Sequence, residues 1–143
     1  MDSRQLWFVR YISRNHDIQG HPDRFDHWFF YLPEEPVHDQ TGLGAGRVLE
    51  AAGHPITGFS QNVNDTDISK EDAPRSADLL MKSIDFEKVT EKARKQPGFP
   101  RSEHPETGKP NCQAWLYLLA VACVEDGIMD DSVVKFLVNS KQE

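Results

Sequence analysis

The segment His27-Trp28-Phe29-Phe30-Tyr31-Leu32, followed by Pro33, is the clearest indicator of the fold. Aromatic residues at consecutive positions favour a strand over a helix or a loop. Alternate positions are bulky on both sides of such a strand, since Trp28, Phe30 and Leu32 would form one face and His27, Phe29 and Tyr31 the other. We therefore expect an interior strand that is covered on both faces.

Further strands are predicted before and after this segment. Residues 6–12 are rich in aromatic and β-branched side chains, and residues 47–52 place Glu50 on the same face as Val48 and Ala52. Residues 57–63 fit a fourth strand, and residues 76–84 fit a strand or a helix equally well. The remaining polar or glycine- and proline-rich segments are predicted as loops, namely residues 14–26, 33–46, 64–75 and 96–110.

Helices are predicted in the second half of the chain. The first predicted helix, residues 86–95, follows Asp85, a good N-cap residue. The second, residues 112–126, lies between the N-cap candidate Asn111 and Gly127, a residue type that commonly ends helices. Because residues 114–124 are apolar nearly all round, we expect this second helix to be buried. A last amphipathic helix is predicted from Asp130 or Asp131, with an inner side formed by Val133, Val134, Leu137 and Val138. The order predicts an α+β fold, in which a small antiparallel sheet packs on the buried helix.

Length and charge limit the classes of function. The 143 residues fit one domain spanning residues 1–143, and the net charge of −7 disfavours binding to nucleic acid or to an anionic membrane surface. No segment is apolar for the ~20 residues that a membrane-spanning helix needs. The first residues do not resemble a secretory signal. We expect a soluble cytoplasmic protein, and the sequence leaves its oligomeric state open.

Cys112 is the leading candidate for a reactive residue. If Asn111 caps the helix, Cys112 lies in the first turn, where unpaired backbone N–H groups and the helix dipole favour a thiolate. Cys123 lies in the middle of the same helix among apolar residues, and it fits a small buried side chain instead. A disulfide between the two is excluded, because 11 positions of helix correspond to about 16 Å.

A nucleophilic cysteine needs a base, and the base needs a group that orients it. His27 is the candidate base, because it alone among the six histidines begins a predicted strand, which is a rigid support. Glu50, on a neighbouring predicted strand, is the candidate orienting group, with His38 and His54 as alternatives. The non-catalytic interpretations are a His27 bonded to backbone and a Glu50 that faces water.

These motifs resemble a known family. A His27-Trp28 strand followed far downstream by Asn111-Cys112-Gln113-x-Trp115 at a helix start is similar to the circularly permuted NlpC/P60 proteins, which are papain-like and include the lecithin:retinol acyltransferase type. It resembles even more closely a set of small fungal proteins with the same His-Trp and Asn-Cys-Gln order. The resemblance implies that Cys112 is the nucleophile, that His27 is the base and that Glu50 occupies the third polar position.

The functional expectation is therefore a cysteine-dependent enzyme that processes an acyl or amide group of a small-molecule or peptide-like substrate. Hydrolysis, acyl transfer and a biosynthetic cyclisation or condensation all fit this chemistry. The alternative is a catalytically inactive papain-like fold that binds a ligand or a protein. No cofactor is expected. A metal site at His16, His21, Asp23 and His27 is disfavoured by loose ligand spacing, and residues 62–67 lack the pattern of a calcium loop.

Overall fold

The computed structural model describes residues 2–11, 27–54, 58–70, 75–99 and 112–140. Its centre is a five-stranded antiparallel sheet with the spatial order β4-β3-β2-β1-β5. The strands are β1 (Ser3–Tyr11), β2 (His27–Pro33), β3 (Ala45–His54), β4 (Gly58–Asp67) and β5 (Arg75–Asp85).

The middle strand β2 is buried on both faces, as its sequence predicts. Trp28, Phe30 and Leu32 belong to the larger core cluster, which also contains the buried residues of the helices. Phe29 and Tyr31 belong to a second, smaller cluster. β1 pairs along β2 from His27 to Tyr31, and β3 pairs with it from Phe30 to Pro33, so β2 is an interior strand of the sheet.

Three helices follow the strands in sequence: α1 (Phe86–Lys95), α2 (Cys112–Glu125) and α3 (Asp131–Ser140). The Asp85 carboxylate caps α1 by accepting a 3.1 Å hydrogen bond from the backbone N–H of Lys88. Gly127 has a φ of 72° just after α2, a conformation that glycine adopts without strain. The α+β arrangement and the capped helix α1 are thus confirmed, whereas Asn111 lies outside the described residues. Among the described helices, none has the length and apolar character needed to cross a bilayer.

The expectation that α2 is buried holds for only one side of the helix, on which seven of its 14 residues are buried. Tyr117 and Leu118 are 39% and 43% exposed, because α2 lies against one face of the sheet and only part of its circumference contacts β2, β3 and the other helices. Val138 of α3 was expected on the inner side, but it is 53% exposed. The inner side of α3 consists of the buried residues Val133 and Leu137, with Val134 partly buried against them.

The polar segment 64–75 is only partly a loop. Residues 64–67 continue β4, and Asn64, Asp65, Thr66 and Asp67 each pair with a residue of β3. Residues 68–70 form a 3-10 turn, and Arg75 begins β5. The expectation fails here because β4 is an edge strand whose polar side chains face water while its backbone bonds to β3. β3 is also longer than predicted, since it extends from Ala45 to His54 and the prediction covered residues 47–52.

Candidate active site

Three elements bring the predicted site residues together. His27 is the first residue of β2, Glu50 lies in the adjacent strand β3, and Cys112 is the first residue of α2. Helix α2 packs on β2 and β3, and this packing brings its N-terminal end to the two strands. Cys112 is 9% exposed, so its side chain is largely buried.

His27 and Glu50 form a close pair. The Nε2 atom of His27 lies 2.5 Å from the Oε1 atom of Glu50, and the two side chains are 34% and 20% exposed. The Phe29 ring lies beside the imidazole, with 5.7 Å between the ring centroids. The interpretation of Glu50 as a side chain that faces water does not describe this arrangement, because β3 is an interior strand and the carboxylate is engaged.

The His27 imidazole also contacts Cys112. Burial by itself would lower the pKa of His27, but side-chain hydrogen bonds with Cys112 and Glu50, together with electrostatic interactions with the same two groups, raise it to about 10. Imidazole thus lies between a sulfur and a carboxylate, the order that an oriented Cys-His pair requires.

The second oxygen of Glu50 has a partner that the sequence did not suggest. The Nδ2 atom of Asn62 donates a 2.7 Å hydrogen bond to Oε2 of Glu50, and Asn64 in turn donates a 2.8 Å hydrogen bond to Oδ1 of Asn62. Glu50 and Asn62 are opposite each other in the β3–β4 register. No local sequence signal identifies Asn62, because its position opposite Glu50 depends on how β3 and β4 pair.

His38 and His54 were the alternatives to Glu50 as the group that orients His27. His38 is an exposed residue of the segment between β2 and β3, and Glu50 is the group that contacts His27. The side chain of His54 lies outside the described residues. So do the segments 14–26 and 100–110, which contain His16, His21 and Asp23 of the disfavoured metal site. Within the described part of the chain, no group of three or more His, Cys, Asp or Glu side chains is placed to hold a metal ion.

Cys123 shares the core cluster with Cys112 but lies deeper in it, at 0% exposure against 9%. It is fully buried in the core cluster, and its burial raises the pKa of the thiol to about 12. Neither cysteine is part of a disulfide, as the helix geometry requires. Cys123 therefore is a packing residue, as its sequence context predicts, and it provides an internal reference for the reactivity of Cys112.

The comparison with protein families covers most of the chain. A family model described as "Family of unknown function (DUF6540)" matches residues 11–130 of the 143. The chain belongs to the DUF6540 family. Comparisons with curated proteins and with solved structures gave no match. In this DUF6540 protein the matched region includes His27, Glu50, Asn62 and Cys112, so the contacts described above lie within the part of the chain that defines the family.

Proposed function

We propose that this DUF6540 protein is a cysteine-dependent enzyme that processes an acyl or amide group. The observation that supports this most strongly is the position of the His27 imidazole, which is bonded to the Glu50 carboxylate at 2.5 Å and hydrogen-bonded to Cys112. A nucleophile, a base and an orienting group in contact are the elements of a catalytic triad.

The raised pKa of His27 supports a charged form of the imidazole. With a pKa of about 10, the imidazole is protonated at neutral pH, and its hydrogen bonds with Cys112 and Glu50 stabilise this charge. We propose that the nucleophile acts as a thiolate paired with this imidazolium, since a nearby histidine cation favours the thiolate form of a cysteine. A thiolate is the nucleophilic form of cysteine.

The reaction then follows from this pair. The Cys112 sulfur attacks the carbonyl carbon, and a new S–C bond forms while the carbonyl oxygen takes up the negative charge. The start of α2 carries the positive end of the helix dipole, which favours negative charge on that oxygen. His27 gives its proton to the leaving amine or alcohol as the C–N or C–O bond breaks. The resulting thioester passes its acyl group to water or to another nucleophile, and His27 takes a proton from that acceptor.

A circularly permuted papain-like fold of the NlpC/P60 type is part of the proposal. The histidine strand precedes the cysteine helix in the chain, and the helix packs across the sheet so that its first residue meets the first residue of β2. Hydrolysis, acyl transfer and cyclisation or condensation share the thioester, and the acceptor distinguishes them. A small-molecule or peptide-like acyl or amide substrate fits each of these reactions.

An acyl probe tests the proposal without knowledge of the substrate. We expect p-nitrophenyl acetate to release one equivalent of p-nitrophenolate in a burst and to leave an acetyl group on Cys112, detected by peptide mass spectrometry. Cys112→Ala should abolish the burst, His27→Ala should slow it strongly, and Cys123→Ala should leave it unchanged. Alkylation by iodoacetamide that becomes rapid only above pH ~8.5, the value of an ordinary thiol, would favour the inactive binding module instead.

A further inference from the structure

The hydrogen-bond chain at the site does not end at Glu50. Glu50 uses Oε1 for His27 at 2.5 Å and Oε2 for the amide of Asn62 at 2.7 Å. A carboxylate that is held by only one of its oxygens can rotate about its terminal bond, whereas one that is held by both has a fixed plane. The contact with Asn62 therefore determines the direction in which Oε1 points.

The orientation of the Asn62 amide is itself determined. Its Oδ1 atom accepts a 2.8 Å hydrogen bond from Asn64, which leaves its Nδ2 group to donate to Glu50. The reversed amide would place an oxygen against the carboxylate and a donor against the Asn64 donor, so both bonds would be lost. Asn62 is partly buried, and its backbone is held opposite Glu50 by the β3–β4 ladder.

We infer that Asn62 is a positioning residue for the triad: it holds the Glu50 carboxylate in the plane that keeps His27 facing Cys112. This inference rests on the proposed function, and it extends the site to a strand that carries none of the three triad members. Asn62 contacts the triad through Glu50, so its influence on the imidazole and the sulfur is transmitted through that carboxylate. An amide suits this role because it donates a hydrogen bond without bringing a charge that would compete with His27 for the carboxylate.

The test compares Asn62→Ala with Gln61→Ala, a matched control at the neighbouring, exposed position of β4 whose side chain lies on the opposite face of the strand. We expect Asn62→Ala to lower the rate constant of Cys112 alkylation at pH 6 by about tenfold, the lower end of the loss seen when the hydrogen-bond partner that orients a metal-binding residue is removed. It should also lower the pKa of His27, measured by NMR. Gln61→Ala should change neither quantity.

A third variant distinguishes positioning from a general structural effect. Asn62→Asp keeps the size of the side chain but replaces the donor by a carboxylate, which repels Glu50 when it is ionised and donates to Glu50 when it is protonated. The ratio of its alkylation rate to that of the wild type should therefore rise as the pH falls. The same ratio for Asn62→Ala should not rise. A loss of fold would show as a changed thermal transition and as exposure of Cys123 to the reagent.

The outcomes separate this inference from the proposed function. Wild-type reactivity at pH 6 that depends on His27 but is unchanged by Asn62→Ala would overturn the positioning role and leave the triad intact. A wild-type protein whose Cys112 reacts only as an ordinary thiol would overturn the proposed function itself. Reduced reactivity and a lowered His27 pKa in Asn62→Ala, with the pH-dependent recovery in Asn62→Asp, would support the positioning role.

Discussion

The Nε2 atom of His27 and the Oε1 atom of Glu50 lie 2.5 Å apart although the residues are 23 positions apart in the chain. The contact arises because β2 and β3 are adjacent antiparallel strands, and the Phe30–Leu49 pair fixes their register. A change of register by one residue would turn Glu50 to the other face of the sheet. The pairing of the apolar strands therefore determines whether the imidazole has a carboxylate partner.

The first prediction concerns the two groups that raise the pKa of His27. Cys112→Ala removes the larger favourable contribution and Glu50→Gln removes a charge while keeping the shape of the side chain. We expect both variants to lower the pKa of His27 from about 10 towards 6.5, with the greater decrease in Cys112→Ala. The measurement is an NMR titration of the imidazole signals.

The control for this titration is Glu91→Gln, since Glu91 is an exposed carboxylate of α1 whose ion pair is with Lys95. It should leave the titration of His27 unchanged. A His27 that titrates near 6.5 in the wild type, or one that does not respond to either site variant, would contradict the contacts described here.

The second prediction is a dependence of stability on pH. The pKa of His27 is about 10 in the folded protein and about 6.5 in the unfolded chain, so the folded state binds the proton more tightly. The resulting stabilisation is fully present below pH 6.5 and is lost as the pH rises towards 10. We expect the difference in free energy of unfolding between the wild type and His27→Gln to be greatest at pH 6 and to decrease steadily up to pH 10. Urea denaturation at several pH values measures it, and a difference that grows with pH would have the wrong sign.

The third prediction concerns the close approach of β3 to β2. A Cβ atom at Gly46 would lie 2.6 Å from the carbonyl oxygen of Leu32 and 2.8 Å from the Cζ atom of Tyr31. Gly46→Ala should therefore reduce the free energy of unfolding by about 1–3 kcal/mol, as overpacking of a core does. Gly44→Ala is the matched control, because its Cβ atom would meet nothing closer than 3.8 Å. Equal stabilities of the two variants in urea denaturation would show that the strands separate easily at this point.

The fourth prediction concerns the start of α1. Asp85→Ala removes the acceptor of the 3.1 Å hydrogen bond from the Lys88 N–H, so we expect a loss of ~1 kcal/mol in the free energy of unfolding. Asp85→Asn keeps an acceptor at the same position, and it should retain most of the stability because asparagine caps helices about as well as aspartate. Thermal or chemical denaturation of both variants gives the comparison. An alanine variant as stable as the asparagine variant would mean that water replaces the cap.

Local residue patterns predicted some elements well and others poorly. The doubly buried strand that begins at His27 and the helix α1 were predictable, because aromatic alternation and an N-cap followed by spaced apolar residues are local signals. The strand formed by residues 64–67 was missed because edge strands have polar side chains that resemble those of a loop. The exposure of Leu118 was missed because composition does not show which side of an apolar helix contacts the sheet.

Only part of the candidate site could be predicted. Cys112 and His27 were chosen from residue type, element position and motif order, whereas Glu50 was one of three candidates for the third position, with His38 and His54. The bond between Glu50 and Asn62 depends on the β3–β4 register, and the contact between His27 and Cys112 depends on how α2 packs across the sheet.

The sequence by itself thus identified two candidate reactive residues, His27 at the start of β2 and Cys112 at the start of α2. It also contains the apolar patterns that form β1, β2 and the helices. The tertiary structure alone decided that the sulfur, the imidazole and the carboxylate meet, and that an asparagine of the edge strand completes the chain. The physical reason is that side-chain contacts between distant residues depend on strand order, register and helix packing. These are set by the burial of the whole apolar surface at once and not by any local segment.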